Sequence, residues 1–557
     1  MSLDLSSLQE DFPCLNLTPN SRERGATAYR LELPTFPQGR EFSWAELLLS
    51  RGFPEHAIAR IILSPDAVLR IPHVEENGAL CIDGDPGPGR GCSAEERIHH
   101  LLSAYHDKFL EPWLTGALDD EFAKEPMNYW QIKVARARST RDPVRSVWTV
   151  DEPPLKTVVR EGLLHLPGRI VLAAGDDQPI ISRIVQSLGG DATQRIRVRI
   201  ADIPIENALI PSRWPRDNTV MQQLLNGRLS KFQQVQFLRP IRNRAHAVHR
   251  IVLLRNKSCA FAYLLPGGPP TVVTEGVRKR AYPSLSTLLP LQVVRIDPSW
   301  TVGRDQHPEV HHRQGQHVLV LGTGALGSPV VDHLAKAGVG FITLVDPELL
   351  VTANIGRHLL GAESIEQSKA EAIAHRINRS YPGTVVTPKQ TTAARWLHEN
   401  SLSKVDLVVD LTGEPEVRWQ VDCARQQSSC PLLIGWMEPF VAAAHVCALP
   451  TGTLWMQGTT DRMEALGAVS WPPEVIRQEP GCSSKFQSYT ASAAGYAVAL
   501  VAENTLKLID GDAPAPRVIS WVRGQRFLDK HWQGLELREW AMDAAPHDGL
   551  LMERPFP

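Results

Sequence analysis

The chain has 557 residues, 43% of them hydrophobic and 22% charged, with a formal net charge of −2. That length and composition suit a globular protein of several domains, and the near-neutral balance offers no electrostatic footprint for nucleic acid. The opening "MSLDLSSLQEDFP" has neither the basic nor the apolar segment of a leader, and no run approaches ~18 apolar residues, so a cytoplasmic chain without a membrane partner is expected.

In chain order, "TAYRLELPTFPQGREFS" reads as a strand and a turn. "SAEERIHHLLSAYHDKFLEPWL" follows as an amphipathic helix with Ile98, Leu101, Leu102, Tyr105 and Phe109 on one face. "VDEPPLK" (150–156) carries two prolines after acidic residues and reads as a boundary. Strand-like pieces, "GRIVLAAG" and "HRIVLLRNKSCAFAYLL", lie between there and residue 305, with no recognisable chemistry. From about residue 312, strands and helices alternate through "HVLVLG", "FITLVD", "KVDLVVDLTG" and "CPLLIGW", as in a mainly parallel sheet covered by helices. Three domains are expected: 1–150 of α+β type, a mixed middle domain at 151–311, and an α/β domain at 312–557.

"HVLVLGTGALGSPVVDHLAKAGVGFITLVDPELL" (317–350) is a nucleotide-binding unit in outline. Gly322, Gly324 and Gly327 form G-x-G-x-x-G after an apolar strand. The first two let the backbone turn and approach a phosphate, and the third lets helix pack on strand. The helix N-terminus then offers free N–H groups to an anion. Asp346 ends the second strand at the spacing of a ribose-binding acid. Asn354 and Arg357 follow on the next loop, and Lys369 on the next helix. Two cations near a glycine cradle suit a triphosphate better than the two phosphates of NAD.

This segment resembles the ThiF/MoeB superfamily of ubiquitin-activating-type adenylyltransferases, whose pattern is GxGxxG, an aspartate, N-x-x-R and a lysine. The resemblance implies a Rossmann-like fold, ATP as cosubstrate, Asp346 on the ribose, and Asn354, Arg357 and Lys369 on the phosphates. "DLVVDLTGEPEVR" matches the strand that carries a magnesium-binding aspartate in that superfamily. Here that position is Gly413, which leaves Asp410 or Glu414 as the magnesium ligand. Trp436 and Glu438 are expected near the nucleotide, His445 in "GWMEPFVAAAHVCAL" is similar to bacterial activating-type domains of a fused kind, and Arg313 is a candidate for reaching a phosphate across a dimer of this domain. An NAD-dependent oxidoreductase is the alternative of another class.

Eight cysteines are scattered without a CxxC pair, which argues against structural zinc. Cys482 lies in "EPGCSSKF", a Gly/Ser loop before a long helix rich in small residues, and Lys485 follows it. In activating enzymes of this type such a loop carries the thioester-forming cysteine. A second stretch, "RIPHVEENGALCIDGDP", resembles the active-site segment of ubiquitin-conjugating enzymes, with Pro72, Gly78 and Cys81 in register. His73 stands where that family has an oxyanion-stabilising asparagine, and Ile71 where it has a histidine. Cys92 shares the loop as a rival thiol. Glu75, Glu76, Asp83 and Asp85 are expected to raise the pKa of Cys81. "EFAKEPMNYW" (121–130) is similar to the end of a bacterial conjugating-type domain.

A conjugating-type and an activating-type domain in one chain resemble the fused ubiquitin-transfer enzymes of bacterial antiphage operons, above all type II CBASS. The resemblance implies ATP- and Mg-dependent activation of a partner's C-terminal carboxylate and its passage through Cys482 and Cys81 to an amine on a target. The donor would be a cyclic-oligonucleotide synthase (CD-NTase) or a bacterial ubiquitin-like protein. It also implies a homodimer through the ThiF-type domain.

Overall fold

The computed structural model describes residues 18–20, 26–173, 179–189, 195–238, 248–275, 278–283, 285–475, 477–478, 485–486 and 489–557. The chain divides into two compact units, residues 1–176 with 194–294, and residues 177–193 with 295–557. Among the described residues no helix is long and apolar enough to cross a membrane.

The first unit opens with an antiparallel meander of four strands, Thr18–Asn20, Thr27–Leu31, Ala45–Leu49 and Ala59–Leu63, paired in sequence order. Helix Ala94–Ala104 packs on it and begins with a capping box: the Glu96 N–H donates to Ser93 Oγ, and the Ser93 N–H to the Glu96 carboxylate. The helix continues as a π-turn over Tyr105–Leu110. All five apolar positions expected on one face, Ile98 through Phe109, are buried against Leu47, Ile61 and Leu63. Beyond helix Pro126–Ala137, seven strands close a barrel. Its strand Ser146–Thr149 pairs in parallel with Ile170–Leu172. The prolines of "VDEPPLK" therefore lie inside the first unit and mark no border, because the barrel has already begun before them.

The second unit is built on an eight-stranded sheet. Its first five strands run parallel in the order Val385–Lys389, Phe341–Val345, His317–Leu321, Leu407–Asp410 and Leu432–Met437. Ala443–Leu449, Arg517–Val522 and Leu550–Pro555 extend it antiparallel. Apart from the edge strand Val385–Lys389, the parallel strands are near-continuous apolar runs because helices cover both faces. Helices Pro298–Gly303 and Glu309–Gly315 also belong to this unit, whose long C-terminal stretch runs from residue 295 and is joined by residues 177–193.

Candidate functional site

Strand order reverses between His317–Leu321 and Leu407–Asp410, and a crevice forms beyond the carboxyl ends of strands at such a point. A cleft of about 270 Å³ opens there, walled by Gly324, Arg357, Thr412, Gly413, Trp436 and Tyr489. Gly322 sits at φ 85°, and a Cβ on it would lie 3.0 Å from the Thr412 backbone. A Cβ on Gly327 would meet the Gly322 carbonyl oxygen at 2.1 Å, whereas one on Gly324 would meet nothing within 4 Å. The first and third glycines thus hold the turn together, and the second leaves open space at the cleft. No side chain caps helix Gly327–Lys336; the Ser328 N–H donates to the Gly324 carbonyl and Pro329 has no N–H, so the helix end presents chiefly the Gly327 N–H to an anion.

Asp346 is buried behind the turn. Its Oδ2 accepts the Thr323 N–H at 2.7 Å and the Thr323 hydroxyl at 2.9 Å, and its Oδ1 accepts the Glu348 N–H at 2.9 Å. A carboxylate has about four acceptor sites, which leaves one for a ribose hydroxyl. Lys369 is buried and its ammonium is paired with Glu348. Asn354 closes its own turn, accepting the Val351 N–H at 3.2 Å. The Arg357 guanidinium lies 5.1 Å from the Tyr489 ring centre. Of the four polar groups expected on the nucleotide, only Arg357 lines the cleft.

The two candidate magnesium ligands part company. Asp410 is fully buried; its Oδ1 accepts the Thr412 N–H and hydroxyl, and its Oδ2 has no hydrogen-bond partner among the described residues. Burial pushes its carboxyl above the usual range. Glu414 is exposed beside Gly413 on the cleft rim. Arg313 is committed within its own chain: its guanidinium makes a two-pronged pair with Asp510 at 2.9 and 2.5 Å. Below the cleft wall, the His445 ring stacks under Trp436 at 4.7 Å. His445 Nε2 is 2.8 Å from Glu438 and its Nδ1 is 2.8 Å from the Ser520 hydroxyl, all of them buried.

In the first unit Cys81 is exposed on a loop stitched to strand Ala59–Leu63. The Leu63 N–H donates to the Gly78 carbonyl, and the Leu80 N–H to that of Ile61. Gly78 is at φ 85°, with Leu63 O only 2.5 Å from where a Cβ would stand. Ile71 is wholly buried, which accounts for an apolar residue at that position. His73 is at φ 62°; its carbonyl accepts the Cys81 N–H at 2.7 Å, and its Nε2 lies 3.8 Å from the Glu121 carboxylate. Burial, then the charges of Glu75 and Glu125, push the Cys81 thiol up. Cys92 is half-buried, its Sγ 3.9 Å from the Arg90 carbonyl. Cys430 and Cys447 are buried and Cys423 partly so. Cys482 lies outside the described residues.

Spacing and motif assign no role to Tyr129, Glu121, Glu125 or Asn128, which the fold carries to the Cys81 loop. The Tyr129 hydroxyl accepts the His73 N–H at 3.0 Å across 56 residues, and Asn128 Nδ2 is 3.4 Å from Glu75. The only signal was the distinctive segment 121–130 that holds them. Tyr489 and Thr412 in the nucleotide cleft were likewise unassigned.

Residues 307–538 match the ThiF family model. Over 235 residues, 40% of this chain, the sequence is 30% identical to the ATP-dependent ubiquitin transferase-like protein Cap2 of Pseudomonas aeruginosa (strain BWHPSA011 / Pa011), and the match spans 41% of that relative's length. It is 26% identical over 226 residues to the sulfur carrier protein ThiS adenylyltransferase of Escherichia coli (strain K12), covering 40% of this chain and 82% of that protein. The molybdopterin-synthase adenylyltransferase of the same organism is 30% identical over 119 residues, 21% of this chain and 48% of its own. Residues 307–538 of the chain thus form a ThiF family domain, while the chain spans less than half the length of the Cap2 relative it matches.

Proposed function

We propose that this protein activates the C-terminal carboxylate of a partner protein as an acyl-adenylate, takes the acyl group as a thioester on Cys482, passes it to Cys81, and delivers it to an amine on a target. The open glycine cradle at the strand switch point, walled by Arg357 and Tyr489, is the observation that carries the reading. When bound, ATP supplies the adenylyl group and pyrophosphate as leaving group. The 324–327 turn at the head of the helix offers backbone N–H groups to phosphate oxygens, and Arg357 offers a fork of donors. Asp346 keeps one acceptor site for the ribose. Lys369 reaches a phosphate by exchanging Glu348 for it, and Asn354 joins it from the adjoining turn. Magnesium is held through few carboxylates together with phosphate oxygens; the exposed Glu414 fits that role, while the enclosed Asp410 braces Thr412 from behind.

The N-terminal meander, its helix and the Cys81 loop act as the conjugating-type module, and the ThiF domain pairs with a second copy. The likeness to Cap2, an ATP-dependent ubiquitin transferase-like protein, supports ATP-driven transfer; the donor we propose is a CD-NTase in CBASS defence, with a bacterial ubiquitin-like protein as the other donor. ATP–pyrophosphate exchange tests the activation step with each candidate donor. Asp346→Ala and Lys369→Ala abolish exchange and Cys482→Ala preserves it, because the thiol acts later. Exchange that persists in both nucleotide-site variants, or that requires NAD, overturns the proposal.

A further inference from the structure

Helix Pro126–Ala137 and the turn before it brace the Cys81 loop from behind. His73 is the pivot. It holds a left-handed backbone at φ 62°, which a residue with a Cβ keeps only when its surroundings over-determine it. Three contacts do so. Its N–H donates to Tyr129 Oη at 3.0 Å, its carbonyl accepts the Cys81 N–H at 2.7 Å, and its imidazole lies 3.8 Å from Glu121. The first two form one line of hydrogen bonds from the phenol, through the His73 residue, to the reacting cysteine. The anchor is fixed in turn, since the Tyr129 ring is buried and meets the Phe122 ring edge-on at 4.8 Å.

We infer that Tyr129 is a positioning residue for acyl transfer at Cys81, acting through the backbone of His73; this rests on the reading of Cys81 as the second acyl carrier. In the transfer the amine nitrogen adds to the thioester carbonyl carbon, forming the C–N bond and an oxyanion; as the oxyanion collapses the C–S bond breaks, and the thiolate leaves and takes up the proton lost by the amine. The rate depends on holding the carbonyl carbon about 3–3.5 Å from the nitrogen, and a displacement of about 1 Å costs on the order of 10²-fold. A loop pinned at His73 meets that demand. Glu121 restrains the same residue at its side chain.

Tyr129→Phe removes the hydroxyl and keeps the packed ring. The full-length chain carrying Cys482→Ala, with and without Tyr129→Phe, is given a short glycine-ended peptide benzyl thioester. Thiol exchange loads Cys81 without ATP or a protein donor, and discharge to free lysine is followed by mass spectrometry. Loading is expected within about twofold of the parent, and discharge slower by roughly 10- to 100-fold. Amide hydrogen exchange over residues 71–82 of the free protein should quicken at least about tenfold while strand Ala45–Leu49 stays protected. Unchanged discharge, or unchanged exchange over that loop, overturns the inference. A parent protein that accepts no peptide on Cys81 overturns the carrier reading itself, a result distinct from either of these.

Discussion

Gly324 and Gly327 stand three residues apart and answer to different constraints. A methyl group on Gly327 would press on the Gly322 carbonyl at 2.1 Å, backbone against backbone, with nothing flexible to give way. Gly327→Ala is therefore expected to destabilise the second unit by about 1–3 kcal/mol, read as a fall in its denaturant midpoint. On Gly324 the same methyl enters open space at the cleft. Gly324→Ala should leave that midpoint within about 0.5 kcal/mol and weaken ATP binding by roughly tenfold, about 1.4 kcal/mol, in a direct titration. Similar loss of stability in both variants would refute the division of labour. Cys81 poses a question of charge. Burial and the carboxylates of Glu75 and Glu125 disfavour its thiolate, so alkylation by iodoacetamide should rise with pH at a midpoint above the ordinary thiol range. Glu75→Gln and Glu125→Gln each remove a negative charge, favour the thiolate, and should move that midpoint downward. A shift upward, or none in both variants, would mean that these carboxylates do not govern the thiol.

At the level of elements, what the sequence disclosed was local. The strand, glycine turn and helix over 317–336 and the apolar face of 94–109 follow from spacings of a few residues, and both stand in the structure. The barrel stayed hidden because its closure joins distant strands. Leu289–Arg295 pairs with Ala260–Leu264, and Arg195–Pro204 pairs with both Val158–His165 and Arg250–Arg255. The site divides in the same way. Its glycines and Asp346 were legible because a turn must be built from neighbours, whereas Tyr129 reaches His73 only through the tertiary fold. The layer beneath Trp436 is another such case. Glu438 accepts the Ala468 and Val469 N–H groups at 2.5 and 2.8 Å as well as pairing with His445, tying a loop to the end of strand Leu432–Met437. Glu438→Ala leaves these groups unpaired in a dry interior and is expected to cost about 3–5 kcal/mol in chemical denaturation. Glu438→Gln keeps one acceptor oxygen and should cost less. Equal losses for the two would show that volume, not hydrogen bonding, matters at this position.

Across the whole molecule, the proposed chemistry uses a thiol in each unit, and the order in which they act is a matter of kinetics. In a relay each cysteine is acceptor first and donor second, so blocking one step accumulates the species before it. The proposed adenylation of the donor falls to the ThiF domain, whose residue range includes Cys482. If that thiol is loaded first, Cys81→Ala holds the donor on Cys482 as an adduct released by added thiol. Cys482→Ala then gives no adduct at either position, although ATP–pyrophosphate exchange continues. Cys81→Ser catches the donor as an oxyester that resists mild thiol and yields to base, because an alkoxide is a poorer leaving group than a thiolate. Adding His73→Ala to the otherwise unchanged chain slows discharge from Cys81 more than loading, by roughly 10²–10³-fold if the imidazole N–H stabilises the oxyanion formed under amine attack. Non-reducing gels with mass spectrometry of each variant, donor and ATP read all four outcomes. An adduct on Cys81 in the Cys482→Ala protein reverses the order. An adduct on Cys92 in its place moves the second step to the half-buried thiol eleven positions along the chain.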